Sequence, residues 1–241
     1  MKKGVVVTGG SHGIGKQICN DFYNKGYLVC FIDIDECGKG MQKDGLYFYH
    51  GDIKDKDVLK KFYLFALEKM ERIDILINNA CYGKGGIVSN ASYEDFDEVL
   101  SVGVKAPYEL SRLCKDELIK NKGRIINIAS SRYAQSEPDS ECYASAKGAI
   151  VSLTHALAIS LAPNVLVNAI APGWIKVREY DVSEEDQKAI PAGRIGKTED
   201  ISSLALYLCE QSFITGETIM IDGGMSKRMI YHNENNWEYH L

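Results

Sequence analysis

The chain has 241 residues, of which 45% are hydrophobic and 25% charged, enough apolar material for one large α/β domain. Its formal net charge of -5 provides no basic surface, so we expect neither nucleic acid nor an anionic membrane as a partner. Seven cysteines without a CxxC pair predict free thiols, and five histidines without HxxxH or HExxH spacing predict no metal site.

The apolar segments are short throughout the chain. The N-terminal apolar run is too short for the core of a signal peptide, and no run reaches the ~18 apolar residues that would span a bilayer. We therefore expect a cytoplasmic protein that does not cross a membrane.

Short apolar runs alternate with longer helical stretches, which is typical of repeated βαβ units and a parallel sheet. The runs are almost continuously apolar, as expected for strands that are covered on both faces. About seven strands are predicted, at residues 4–8, 27–32, 46–50, 73–77, 124–129, 165–170 and 218–221. The pattern predicts one doubly wound α/β domain over residues 1–226 and a polar tail over 227–241.

Two helices have recognisable ends in the sequence. A helix over 92–102 is predicted to begin at the N-cap residue Ser92, with Asp95 three positions later. A second helix follows Tyr143 and is predicted to end before Pro163. Its apolar residues repeat at helical spacing, at Ile150, Leu153, Leu157 and Leu161.

A glycine-rich turn joins the first predicted strand to the first helix. It reads Thr8-Gly9-Gly10-Ser11-His12-Gly13-Ile14-Gly15. Such a turn directs backbone N–H groups and a helix N-terminus at a pyrophosphate. We expect Gly9 to permit the tight turn, Gly13 to let the backbone approach a phosphate, and Gly15 to let helix and strand pack closely. A plain turn is the alternative.

An acidic residue, Asp33, stands directly after the second predicted strand. At about 20 residues past the turn, such a carboxylate accepts hydrogen bonds from an adenosine ribose and repels a 2′-phosphate. No Arg or Lys follows before Lys39, and Ser11 and His12 place no permanent cation in the turn. The pattern favours NAD over NADP, with a solvated carboxylate as the alternative.

A tyrosine and a lysine, Tyr143 and Lys147, are four residues apart on a predicted helix and therefore share one face. An ammonium beside a tyrosine stabilises the phenolate, which suits the pair for proton transfer. Ser130 follows the strand predicted at 124–129, where a ligand crevice is expected. A YxxxK pair alone most often means a tyrosine beside a solvated lysine.

Several motifs occur together and in one order. They are Thr8 to Gly15 (TGxxxGxG), Asp52-Ile53, Asn78-Asn79-Ala80, Ser130 thirteen residues before Tyr143, Asn168 to Gly173, Ile214-Thr215-Gly216 and Ile221 to Gly224. In these residues the chain resembles the classical short-chain dehydrogenase/reductase family over nearly all of residues 4–226.

The resemblance implies a Rossmann-like domain that binds NAD and acts on a small alcohol or carbonyl compound. It implies Ser130, Tyr143 and Lys147 as catalytic residues. The implied cofactor contacts are Gly9, Ser11, His12, Gly13, Ile14, Gly15, Asp33, Asp52, Ile53, Asn79, Ala80, Tyr143, Lys147, Pro172, Gly173 and Ile175. Helices around 94–113 and 143–162 are expected to form a homodimer or homotetramer, with the tail 227–241 at an interface.

The chain departs from the family pattern at three positions. Gly103 stands where similar proteins have an Asn that belongs to a water-mediated proton relay, so we expect ordered waters in a space lined by backbone carbonyls. Cys81 replaces a Gly, and Val177 replaces a Thr that binds the carboxamide.

The substrate-facing segments are less defined by the sequence. A short substrate loop is expected over 174–193, with the charged run Glu184-Glu185-Asp186, for which a solvated helix is the alternative. Three residues after Ser130 are candidates for the pocket wall: Arg132, Tyr133 and Gln135.

The leading functional interpretation is an NAD(H)-dependent oxidoreductase that transfers a hydride between the nicotinamide and a secondary alcohol or ketone. One alternative is 3-oxoacyl-carrier-protein reduction, which Asp33 disfavours because that activity usually uses NADP. Another is a catalytically weak NAD-binding sensor or scaffold, which Gly103 and Cys81 keep open.

Overall fold

The computed structural model describes residues 2–229. A seven-stranded, entirely parallel sheet runs through it. Its strands are β1 (Gly4–Thr8), β2 (Leu28–Asp33), β3 (Leu46–His50), β4 (Ile75–Asn78), β5 (Arg124–Ile128), β6 (Leu166–Pro172) and β9 (Thr218–Ile221). They lie side by side in the order β3-β2-β1-β4-β5-β6-β9. The predicted doubly wound, single-domain α/β fold is confirmed.

Helices cover both faces of this sheet. They are α1 (Gly13–Asn24), α2 (Lys56–Met70), α3 (Tyr93–Leu100), α4 (Ala106–Lys120), α5 (Glu141–Leu161), α6 (Glu184–Ala189) and α7 (Thr198–Glu210). A five-residue π-helical turn, Ser101–Lys105, joins α3 to α4. Two short strands, β7 (Ile175–Lys176) and β8 (Gly196–Lys197), pair outside the main sheet.

The hydrophobic core has two layers because strand side chains alternate between the faces of the sheet. On one face, Val6 packs in a cluster with Phe62 of α2 and Leu110 of α4. On the other face, Phe22 of α1 and Leu208 of α7 cover the sheet. All five side chains are at most 1% exposed. Burial on both faces explains why the strands read as continuous apolar runs.

Both predicted helix ends are confirmed. Ser92 caps α3: its Oγ accepts the Asp95 N–H at 3.1 Å, and the Asp95 carboxylate accepts the Ser92 N–H at 3.0 Å. Helix α5 ends at Leu161, two residues before Pro163. Its buried stripe differs from the predicted one: Thr154 and Ala158 face the core, because they lie one and two turns after Ile150.

Among the described residues, one helix, α5, is long and apolar enough by length and composition to cross a membrane. The same helix packs Ile150 against Ala129 and Ala169 of the sheet layer. It also carries Lys147, only 4% exposed, into the interior of the domain. These contacts are those of a helix that belongs to a globular core.

The strand order reverses between β1 and β4. The chain builds outward from β1 to β3 and then returns to place β4 on the other side of β1. In open α/β sheets, ligands bind in the crevice outside the carboxyl ends of the strands at such a switch point. The topology therefore places the expected site at the ends of β1 and β4.

Candidate active site

A cleft of about 1030 Å³ opens at the carboxyl edge of the sheet, above the switch point. It collects the sequence-predicted residues from seven segments of the chain. These are Gly9, His12, Gly13, Ile14, Gly15, Asp33, Asp52, Ile53, Asn79, Ala80, Ser130, Tyr143, Lys147, Pro172, Gly173 and Ile175.

Ser11 is the exception among the predicted contacts, because it does not line the cleft. It is 2% exposed, its N–H donates to Asp33 Oδ2 at 2.9 Å, and its Oγ donates to the carbonyl of Asp35 at 3.3 Å. The short polar side chain is therefore used to hold the turn against the segment after β2. Its role as a direct cofactor contact stays a prediction.

The glycine-rich turn is packed too closely for side chains. Gly13 has φ +49°, and a Cβ there would lie 3.1 Å from the Cβ of Val177. A Cβ at Gly15 would collide with the carbonyl oxygen of Gly9. The Asn79 side chain ties the turn to β4, since its Nδ2 donates to the carbonyls of Thr8 at 3.0 Å and Gly9 at 2.9 Å. At its glycines the turn thus presents bare backbone to the cleft.

The Asp33 carboxylate lies at the carboxyl end of β2. Its Oδ2 accepts the Ser11 N–H at 2.9 Å, and its Oδ1 accepts the Asp35 N–H at 3.0 Å. Each carboxylate oxygen has further lone-pair capacity, so both remain able to accept from a ligand. The backbone bonds orient the carboxylate before any ligand arrives.

Three polar side chains meet at the other part of the cleft. Tyr143 and Lys147 come from one face of α5, and Ser130 follows β5. The Lys147 ammonium lies 5.4 Å from the centroid of the Tyr143 ring. The Ser130 Oγ accepts the N–H of Arg132 at 3.2 Å, which leaves its hydroxyl hydrogen for another partner. The arrangement brings a hydroxyl, a phenol and an ammonium to a common wall.

Gly103 is the first of the three positions that depart from the family pattern. Gly103 is buried in the π-helical turn, and a Cβ there would lie 3.0 Å from the Ala146 Cβ and 3.3 Å from the Cys81 sulfur. A methyl group and a thiol border the side of Gly103 on which a side chain would extend, so that side is closely packed. The expected waters beside the backbone carbonyls stay a prediction. The Cys81 side chain occupies volume on the side where a residue larger than glycine would extend.

The loop after β6 begins with β7, which pairs with β8. The Trp174 Nε1 donates to the Tyr180 hydroxyl at 2.9 Å, and Val177 and Arg178 reach the cleft. The run Glu184-Glu185-Asp186 forms the first turn of α6, where acidic residues complement the helix dipole.

The three candidates for the pocket wall after Ser130 do not line the cleft. They are Arg132, Tyr133 and Gln135. Arg132 instead pairs with Glu137 at 2.5 Å.

A charged cluster that sequence patterns did not indicate borders the cleft beside Asp52. Glu98 accepts hydrogen bonds from Lys54 and from Tyr82, and Lys84 pairs with Asp95 at 2.9 Å. The bond from Lys54 lowers the pKa of the Glu98 carboxyl, whereas burial and the Glu98 contact raise the pKa of Tyr82 to about 12. These residues lie far apart in the chain, so no linear motif marks them.

Comparison with known proteins identifies the family. A family model described as enoyl-(acyl carrier protein) reductase matches residues 9–226. An uncharacterized oxidoreductase of Thermotoga maritima is 37% identical over 251 residues, covering 95% of this chain and 98% of that protein. A solved apo SCOR enzyme from Clostridium thermocellum is 64% identical, with a TM-score of 0.95 over 100% of each chain.

Two further solved structures share the fold with bound dinucleotides. ElxO with NADP bound is 27% identical, with a TM-score of 0.86 over 95% of this chain and 100% of that one. A 3-ketoacyl-(acyl-carrier-protein) reductase from Brucella melitensis complexed with NADH is 30% identical, with a TM-score of 0.86 over 93% of this chain and 98% of that one. The protein belongs to the short-chain dehydrogenase/reductase family of oxidoreductases.

Proposed function

We propose that the protein is an NAD(H)-dependent oxidoreductase that interconverts a secondary alcohol and a ketone, with Tyr143 as the general acid/base. The observation that carries the proposal is that one cleft joins the bare backbone turn and Asp33 to the Ser130, Tyr143 and Lys147 wall. The residues fit a dinucleotide, since the glycines of the turn leave its backbone uncovered and Asp33 keeps free acceptor capacity.

The chain offers a separate group to each part of such a cofactor. The N–H groups of the turn and the N-terminus of α1 suit the pyrophosphate. The Asp33 carboxylate suits the hydroxyls of the adenosine ribose, and Lys147 suits those of the nicotinamide ribose. When bound, the dinucleotide supplies or accepts the hydride.

Proton transfer is assigned to the residues of the wall. Ser130 donates a hydrogen bond to the substrate oxygen and orients it. Tyr143 gives its phenolic proton to that oxygen in the reducing direction and takes a proton from it in the oxidising direction. The Lys147 ammonium, beside the ring, stabilises negative charge on the phenolic oxygen.

The choice of NAD is tested by titration calorimetry with NADH and NADPH. We expect NADH to bind more tightly, because Asp33 accepts from a ribose diol and repels a 2′-phosphate. Asp33→Ser is expected to weaken NADH binding and to reduce the difference in affinity between NADH and NADPH. Asp44→Asn, in an exposed loop, serves as the matched control. Equal or tighter NADPH binding by the unaltered protein would contradict the proposal. Both dinucleotides occur among the relatives, since one carries NADP and another NADH.

A second candidate is a dinucleotide-binding sensor with little turnover. The Gly103 surroundings favour it, because the methyl of Ala146 and the sulfur of Cys81 lie where the family relay would require polar groups. A third, 3-oxoacyl-carrier-protein reduction, matches the name of the Brucella melitensis relative. A panel of secondary alcohols, ketones and 3-oxoacyl thioesters, followed at the absorbance band of reduced nicotinamide, separates the three. Turnover of alcohols or ketones supports the leading proposal, and tight NADH binding without turnover supports the sensor.

A further inference from the structure

Three metal-ligating side chains meet on the outer rim of the cleft. His12 comes from the glycine-rich turn, and Asp35 and Cys37 come from the segment after β2. The His12 Nε2 lies 2.8 Å from Asp35 Oδ2 and 3.2 Å from the Cys37 sulfur, and one ligand atom of each residue lies within 4.8 Å of the others. We propose that these three residues form a binding site for Zn²⁺.

The donor set matches zinc chemistry. Thiolate sulfur, imidazole nitrogen and carboxylate oxygen are the groups that bind Zn²⁺, at about 2.0–2.3 Å, and sites with three protein ligands keep water in the fourth position. Ligands of a tetrahedral zinc are separated by roughly 3.3 Å or more. The distance from His12 Nε2 to the Asp35 oxygen therefore has to grow by less than about 1 Å, and the distance from Nε2 to the Cys37 sulfur has to grow by a smaller amount. All three side chains are exposed, so they are free to do so.

A nucleophilic relay is the competing explanation for a Cys, a His and an Asp in contact. In such relays the nucleophile and the carboxylate bond to opposite ring nitrogens of the histidine. Here the Asp35 oxygen and the Cys37 sulfur both approach Nε2. The three ligand atoms therefore lie beside one another, as ligands of one cation do, and are not arranged in series as in a proton relay.

The two segments that supply the ligands are already held together. Asp35 Oδ1 accepts the Cys37 N–H at 2.9 Å, which leaves Oδ2 directed at His12. The Asp35 N–H donates to Asp33 at 3.0 Å, and the Ser11 Oγ donates to the Asp35 carbonyl at 3.3 Å. Because the backbone of the loop is tied to the turn, binding an ion requires little further ordering of the chain.

Binding is balanced in charge and protons. Cys37 releases its thiol proton to solvent as the sulfur–zinc bond forms, and the hydrogen that His12 Nε2 shares with Asp35 passes through solvent to Nδ1, which frees the Nε2 lone pair. The thiolate and the Asp35 carboxylate together neutralise the two charges of the ion. Water completes the coordination. Local spacing rules predicted no metal site because the histidine lies 25 residues from the cysteine, and only the fold brings them together. The site does not depend on the proposed dehydrogenase activity.

The test is titration of the reduced full chain with Co²⁺ as a spectroscopic substitute, in a reductant that does not bind metals. We expect a thiolate-to-cobalt charge-transfer band and the visible bands of tetrahedral cobalt, saturating at one ion per chain and displaced by Zn²⁺. Cys37→Ser is expected to abolish the charge-transfer band. His12→Ala and Asp35→Asn are each expected to weaken binding about tenfold or more.

Two control variants make the assignment specific. Cys81→Ser removes the partly exposed thiol inside the cleft, and His155→Ala removes an exposed histidine of α5; both are expected to keep the cobalt spectrum. Zn²⁺ is also expected to raise the melting temperature of the unaltered protein up to a saturating value, and to leave the melting temperature of Cys37→Ser unchanged. A charge-transfer band that survives Cys37→Ser, or disappears in Cys81→Ser, overturns the proposal, as does the absence of saturable cobalt binding.

Discussion

Lys147 lies in the interior of the domain with its Nζ donating to the carbonyl of Ile128 at 2.7 Å. This contact holds the ammonium between the end of β5 and the Tyr143 ring, 5.4 Å from the ring centroid. A lysine that is 4% exposed is rare without a partner, and here a backbone oxygen provides one. Because the ammonium is buried, salt screens its interaction with the phenol much less than it would screen an exposed pair.

Replacing Tyr143 tests its assignment as the general acid/base. Tyr143→Phe removes the phenolic oxygen and preserves the ring, so NADH binding should persist while turnover falls by about 10²–10⁴-fold. Steady-state kinetics and NADH titration measure the two effects. Tyr133→Phe, outside the cleft, is the matched control and should retain turnover. Near-normal turnover of Tyr143→Phe would show that another group moves the proton.

The departures at residues 81 and 103 are coupled by contact. A Cβ at Gly103 would be 3.0 Å from the Ala146 methyl and 3.3 Å from the Cys81 sulfur, both tighter than ordinary van der Waals contact. A side chain added at 103 therefore has to displace its neighbours. The small residue at 103 and the larger one at 81 fill the same region between them.

This contact predicts the result of a double-mutant cycle. Gly103→Asn alone should destabilise the fold by about 1–3 kcal/mol through overpacking. Adding Cys81→Gly removes the sulfur and should recover part of that loss, while the restored amide should shift the pH dependence of turnover. Urea denaturation of the two single variants and the double variant measures the coupling. Additive effects within about 0.5 kcal/mol would mean that the two positions are independent.

At the scale of elements, the site is built where strands end and the chain must turn. The π-helical turn Ser101–Lys105 interrupts the path from α3 to α4 and presents Val102 and Gly103 towards the interior. Such turns are often found at functional sites, because the extra residue redirects side chains. At the end of β9, Asp222 holds the turn that leads into a short 3-10 helix: its Oδ1 accepts the Gly224 N–H at 2.9 Å and its Oδ2 accepts the Ser226 N–H at 2.7 Å.

The turn after β9 predicts a pH-dependent contribution to stability. Burial raises the pKa of the Asp222 carboxyl, but hydrogen bonds from Ser226 and Gly224 outweigh it and hold the pKa below its usual range. A carboxyl with a lowered folded-state pKa stabilises the fold above its unfolded value of about 3.9, and the contribution is lost as pH falls through the folded-state pKa.

Asp222→Asn should therefore lower the free energy of unfolding at neutral pH by about 1–3 kcal/mol. The difference from the unaltered protein should shrink as the pH is lowered from 7 to about 3. Denaturant unfolding across this range measures it. Asp116→Asn, at a side chain that is 86% exposed, is the control and should change little. A difference that stays constant with pH would contradict the role of the carboxylate.

For the whole molecule, the outer surface of α4 and α5 remains partly apolar. Ile159 of α5 is 79% exposed and Tyr108 of α4 is 54% exposed, whereas Ala158 of α5 is fully buried in the core. Ala156 stands on the exposed side, where it permits close approach of a helix. The predicted subunit contact therefore involves the exposed side of α5, with Ala156 and Ile159, and not its whole surface. The predicted interface role of the tail 227–241 falls almost entirely outside residues 2–229.

We expect a homodimer or homotetramer at micromolar concentration, closed by self-complementary contacts of these helices. Ile159→Arg should lower the sedimenting mass by placing a charge in an apolar contact. Leu64→Arg on α2, where the leucine is 54% exposed, is the matched control and should leave the mass unchanged. A monomeric mass for the unaltered protein would contradict the prediction.

Local sequence patterns were sufficient to predict where the strands and helices lie and which of the two each segment forms. Continuous apolar runs indicated all seven strands of the sheet; three of them, at 4–8, 46–50 and 218–221, have the predicted bounds. The other four strands differ from the prediction by one or two residues at one end or both, because hydrogen bonding to neighbouring strands and not composition decides where a strand ends. Cap residues act within a few positions of the chain, which is why Ser92 was identified from the sequence.

Contacts between distant segments required the fold. The glycine turn, Asp33 and the Tyr143–Lys147 pair are short-range signals, and the sheet order then brought them to one cleft. The surroundings of Gly103, the inward position of Ser11, the Glu98 cluster, and the meeting of His12 with Cys37 have no such signal. Each depends on side chains from separate elements packing at particular distances, and packing is a property of the assembled chain that local periodicity does not contain.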